Sequence, residues 1–145
     1  LVEIEDANDF YISAVAPTPD LRVAKLVSNI ILPGMGNQPL PGAIINYRFV
    51  YTNAGSGPAT NAVLYDRLPA NTIYVTNRMG NASGWTSQYA IVASPDQSWG
   101  STDYCTFGTA CDVSPKSAIV WVRWKKTNVA TSDDDRDIYL RVMIR

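Results

Sequence analysis

The 145-residue sequence predicts an all-β fold, an antiparallel sandwich of two sheets. Three observations point there. Residues 43–52 alternate strictly, with Ile45, Tyr47, Phe49 and Tyr51 on one face and Ile44, Asn46, Arg48 and Val50 on the other. A sustained period of two, built from β-branched and aromatic residues, is a strand signal. Turn-forming groups, Asn53 to Pro58 and Leu68 to Asn71, separate that run from strand-like runs at 61–66 and 72–76. The remainder repeats this pattern, with strand-like runs between turn signals and no convincing helix.

Taken in order, residues 1–19 stand apart. Leu1-Val2-Glu3-Ile4-Glu5 alternates apolar and acidic, Ala7-Asn8-Asp9 is a polar break, and residues 10–15 are strand-like again. Pro17-Thr18-Pro19 makes a stiff extended joint, because each proline biases its predecessor toward extended backbone. Residues 20–28 read as a strand with Leu21, Val23, Lys25 and Val27 at one parity, Lys25 being the odd member. Residues 29–40 read as a strand end and a loop. Residues 78–84 form a loop, 85–92 a strand, and 94–110 a long excursion rich in Ser, Asp, Gly and Thr. Residues 117–126 form a strand with Ile119, Trp121 and Arg123 on one face and Val120, Val122 and Trp124 on the other. Apolar residues on both faces place it centrally, or under a partner. After an acidic turn at 131–137, the last strand directs Ile138, Leu140, Val142 and Ile144 inward.

Residues 41–75 also carry a resemblance. Pro41-Gly42, a strand with Tyr47, then Thr52-Asn53-x-Gly55, Ala59-Thr60-Asn61 and Asp66-x-Leu68-Pro69-Ala70 are similar to an immunoglobulin-like conserved-repeat family of bacterial and archaeal surface proteins. Residues 20–25 look like that family's opening strand. The resemblance implies an immunoglobulin-like antiparallel β-sandwich at 20–145, behind an N-terminal arm and proline hinge at 1–19, in an extracellular or cell-surface protein. It implies no particular chemistry, since one fold hosts many functions.

Composition narrows the classes. Charged residues make up 17% against the roughly 25% usual for soluble domains, with polar neutral residues in their place. A net charge of −1 provides no general pull toward nucleic acid or acidic membranes. No apolar run is long enough to span a bilayer. Beginning with Leu1 rather than Met fits a processed N-terminus or a trimmed chain. With no histidine, the commonest general base and metal ligand are missing, and no nucleophile elbow, phosphate loop or dinucleotide fingerprint replaces them. The expectation is a non-enzyme without cofactor.

Individual residues supply narrower candidates. In a secreted protein Cys105 and Cys111 would form one local disulfide; the alternative is two unpaired thiols. Asn81-Ala82-Ser83 is a glycosylation sequon, or a plain turn. Asp133, Asp134, Asp135 and Asp137 offer oxygens for calcium, but the spacing is not that of an EF-hand, and a solvated turn is the plainer reading. Lys25 on an apolar face is either a candidate for an intramolecular isopeptide bond or a lysine snorkelling at a strand end. Trp85 and Trp99 fall in irregular stretches where a sugar platform is conceivable, whereas Trp121 or Trp124 suits the core.

The arm is the main functional expectation. It would either fold back as an extra strand or complete a neighbour's sheet by donor-strand complementation. Val2 and Ile4 would point inward, with either Phe10, Ile12 and Ala14 or Tyr11, Ser13 and Val15. Such a contact does not close, so it propagates as a pilus-like or fimbrial filament, a homopolymer of this chain. The other expectation is a monomeric surface or adhesion module that binds glycans, proteins or neighbouring cells.

Overall fold

Strict alternation in residues 43–52 produces a strand with one buried face, and the rest of the sandwich is laid out from it. A computed structural model of the chain describes residues 16–112 and 114–145 in full and residues 2–5 and 11–14 by their backbone. The strands are β1 (Val2–Glu5), β2 (Tyr11–Ala14), β3 (Leu21–Ile31), β4 (Ile44–Asn53), β5 (Ala59–Arg67), β6 (Thr72–Met79), β7 (Thr86–Ala90), β8 (Cys105–Thr106), β9 (Trp121–Val129) and β10 (Arg136–Ile144). The remaining element is a single 3-10 turn at Lys116–Ala118.

Two four-stranded antiparallel sheets form the sandwich. Their strand orders are β3-β4-β10-β6 and β5-β9-β7-β8. Most connections cross from one sheet to the other, so each pole of the sandwich is built from loops. β3 and β5 start at one pole, beside the loop at 54–58. They run toward the other, where the turn at 68–71 and the chain's last residue lie. Phe49, Tyr51, Tyr74, Ile138, Leu140 and Val142 meet Ala62, Tyr89, Val122, Trp124 and Val129 in the core. Trp124 is completely buried and its ring packs 5.2 Å from that of Phe49. β10 lies between β4 and β6, and its inward residues Ile138, Leu140 and Val142 are fully buried, as its alternation predicts.

The arm is built differently. β1 and β2 pair with each other, from Val2↔Ala14 to Glu5↔Tyr11, in a two-stranded sheet of their own. Among the described residues, neither strand joins the sandwich. The expectations for which arm side chains point inward (Val2, Ile4, Phe10, Tyr11, Ile12 and Val15) fall outside what the structure describes.

One residue fastens the pole where the arm attaches. Asn53 ends β4 and is 2% exposed. Its Nδ2 donates to the carbonyls of Gly57 and Val129, each at 3.0 Å. Its Oδ1 accepts from the amides of Asp20 and Gly55 at 3.2 and 3.1 Å. One amide therefore joins the start of β3, the 54–58 loop and the end of β9, linking the two sheets. Gly55 lets this happen. A Cβ there would sit 2.3 Å from the Thr18 carbonyl oxygen and 2.5 Å from the Asp20 nitrogen. The Thr-Asn-x-Gly motif is thus a buried fastening as well as a turn.

Sequence and structure differ in the run at 117–126. β9 begins only at Trp121, because Lys116–Ala118 turns first, and it continues to Val129. Ile119 consequently joins the core instead of sharing the outward parity of Trp121 and Arg123.

Replacing Asn53 with Asp keeps the shape but turns both donors into acceptors facing carbonyls. Urea unfolding of Asn53→Asp is expected to show a loss of about 3 kcal/mol, because a buried polar network is left unsatisfied. Thr60→Ala, at an exposed site, is expected to change stability by less than about 0.5 kcal/mol.

Candidate functional site

The candidate site is the open edge of the first sheet. β3 is eleven residues long, and every residue but Ile30 is exposed. Its ladder to β4 sets Leu21, Val23, Lys25 and Val27 beside the inward residues Asn53, Tyr51, Phe49 and Tyr47. A register shift between Val27 and Asn29 then flips the parity, so that Ile30 joins the same face opposite Ile45. This inward face should be covered, yet Leu21, Val23 and Val27 remain 46%, 53% and 56% exposed. Across from it stands β5, the edge of the second sheet. A cleft of about 190 Å³ lies between the first residues of β3 and the middle of β5, lined by Leu21, Val23, Tyr51, Ala62, Leu64 and Trp85 among others. Trp85 is fixed in its wall by a 2.9 Å hydrogen bond from Nε1 to the Tyr51 hydroxyl. An edge of this length with an uncovered apolar face invites strand addition.

Lys25 and Asp66 bridge the cleft further along. Lys25 Nζ donates to both oxygens of Asp66 at 2.8 Å and lies 4.3 Å from the Tyr47 ring centroid. Burial pushes the Asp66 carboxyl above its ordinary value, and Lys25 works against that shift. Lys25 is thus neither free at a strand end nor surrounded only by apolar groups. The carboxyl that the isopeptide expectation finds beside Lys25 is that of Asp66, held as an ion pair.

No family model, curated protein or solved structure matches this chain. The likeness to the immunoglobulin-like repeat family therefore rests on the motif residues alone.

The other candidates are dispersed. Cys105 and Cys111 form a disulfide that closes a small loop after β8. The four aspartates of the 133–137 turn go separate ways. Asp133 accepts from Lys126, Asp134 from the Thr52 hydroxyl, and Asp137 from Arg48. Among the described residues no three acidic, cysteine or histidine side chains group as metal ligands. Asn81 lies against this turn, with Nδ2 on the Asp135 carbonyl and Oδ1 accepting from the Asp137 amide at 2.6 Å. Trp99 lies outside the core, with the Lys125 ammonium 4.1 Å from its ring centroid, and Trp121 donates to the Ala93 carbonyl.

Sequence reading also missed Arg123. It lies on the face of β9 away from the core, where the sequence suggested either a central strand or cover by a partner, and it is fully buried. The chain's own excursion covers it. Arg123 donates to Gln88 Oε1 at 2.8 Å and to the Ser98 and Ser101 carbonyls at 2.9 and 3.4 Å, with its guanidinium 3.8 Å from the Tyr104 ring centroid. The one signal in the sequence was a charged residue between two tryptophans of a central strand.

Lys25→Met leaves the Asp66 carboxylate beside apolar groups without its partner. A carboxyl whose pKa is raised in the folded state binds protons more readily there than in the unfolded chain. Stability then falls as pH rises through the folded value, and the penalty vanishes below the unfolded one. Lys25→Met should therefore lose about 1–2 kcal/mol at pH 7 in chemical unfolding, and clearly less near pH 4. Arg123→Met should release the 94–104 excursion, seen as new protease cuts within it, at a cost of about 2–3 kcal/mol.

Proposed function

We propose that this protein is a secreted structural subunit that polymerises head to tail into an extracellular filament, with the N-terminal arm completing the sheet of the next copy. The observation that carries this reading is β3, an eleven-residue edge strand exposed along almost its whole length over an apolar cleft. A monomer would leave that edge as a standing aggregation hazard. The arm is the natural cover for it. It is strand-forming, lies outside the sandwich, and pairs only with itself among the described residues. Two four-residue strands make a hairpin that is marginal alone in water, so the arm gains from a further pairing partner. The Cys105–Cys111 disulfide fits an oxidising, extracytoplasmic location. The role is mechanical and needs neither cofactor nor catalytic group.

Deleting residues 1–17 tests it. Wild-type protein is expected to form filaments in negative-stain images and to scatter as large particles, and the truncated chain to stay monomeric. A peptide of residues 1–17 added to the truncated chain should raise its Tm by several degrees, as a ligand bound only to the folded state does. Unchanged particle size after the deletion would refute the proposal.

A further inference from the structure

Resting on the polymer reading, we infer that the receiving site is the β3 edge and the cleft behind it, filled by residues 1–15 of a second copy running parallel to β3. Direction of exit is the first ground. Residues 18–20 continue the β3–β4 ladder beyond the end of β4. The Ala54 amide donates to the Asp20 carbonyl at 2.8 Å, and the Ser56 and Gly57 amides to the Thr18 carbonyl at 2.9 and 3.1 Å. The Thr18 amide in turn donates to Ser56 Oγ at 3.1 Å, and a Cβ on Gly57 would meet Pro17 at 2.6 Å. Residues 17–20 therefore arrive along the line of β3, and an arm that continues that line heads away from the β3 edge of its own body. Reaching that edge would need a full reversal where Pro17 and Pro19 hold the backbone extended. Another copy meets no such obstacle. In a stack whose copies share one polarity, an arm that extends the line of its own β3 runs in the direction of its neighbour's β3.

Length and charge agree with this occupant. At about 3.3 Å per residue, the eleven residues of β3 span roughly 36 Å and an extended fifteen-residue arm roughly 50 Å. As a hairpin of four-residue strands the arm covers only about a third of the edge, so the occupant is the opened arm. Four of the chain's thirteen acidic residues lie in the arm (Glu3, Glu5, Asp6 and Asp9) and none of its twelve basic ones. β3 carries two charges, Arg22 and Lys25, both positive and each already paired within its own body, with Asp20 and Asp66, and β3 itself has no acidic side chain to repel the arm. The poles match as well. Asp134 and Asp135, at the pole the arm leaves from, have no basic partner among the described residues. Arg67, Lys116 and Arg145, at the pole a neighbour's arm arrives by, have no acidic one.

Cysteine pairs in the full chain read out site and direction together. Ile4→Cys with Val23→Cys is expected to give a ladder of covalent oligomers on mild oxidation, at least tenfold stronger than Ile4→Cys with Ile30→Cys. Three outcomes would overturn the inference: the reverse preference, which means antiparallel insertion; a closed monomer, which means the arm serves its own body; and efficient dimers from Val27→Cys alone, which mean two β3 edges pair. Filaments in negative stain without either ladder would reject this site and leave polymerisation standing. Absence of both filaments and ladders would reject polymerisation too.

Discussion

The rest of the structure hangs on the side-chain amide of Asn53. A sandwich of two sheets is held mainly by apolar packing, which has no preferred direction and would tolerate sliding of one sheet over the other. Four hydrogen bonds from one buried amide remove that freedom at the pole where the arm attaches. Each bond is worth about 1 kcal/mol net, but leaving any buried partner unsatisfied costs more, so the group holds as a unit. By fixing Asp20 against Gly55, it also sets the line along which the chain approaches β3.

Burial is distributed unevenly around that fastening. β9 and β10, central in their sheets, carry the fully buried residues Val122, Trp124, Val129, Ile138, Leu140 and Val142. β6 and β7 are covered in part by the strap that ends in the disulfide, where Phe107 packs on Tyr74 and Tyr89 with ring centroids 5.0 and 4.8 Å apart. Among the described residues nothing covers β3 in that way. One side of the sandwich is thus sealed by its own loops and the other is left open, with the Lys25–Asp66 pair spanning the gap. Beside that polar pair, Leu21, Val23 and Val27 stay about half exposed.

Much of this was legible in the residues. Alternation gave the faces of β4 and β10 correctly, because a strand with one buried face must place apolar residues at every second position. The same rule located Leu21, Val23, Lys25 and Val27 on one face of β3. It could not follow the bulge after Val27, since Ile30 and Ile31 are both apolar and either could be the inward one. Nor could it show that Arg123 is buried. Its neighbours in sequence are strand residues, and the groups that cover it, Ser98, Ser101 and Tyr104, come from a separate loop.

By itself the sequence determined the all-β class, the two corners after β4 and β5, the buried parity of β4 and β10 and the short loop bounded by two cysteines. These depend on residues within a few positions of one another. Tertiary structure alone decided which edge stays open, what faces Lys25 and how residues 18–20 run into β3. Those outcomes depend on pairs such as Asn53 with Val129 and Lys25 with Asp66, separated by 76 and 41 residues. Local periodicity records which face of a strand is apolar; only the arrangement of distant strands settles whether anything lies over it.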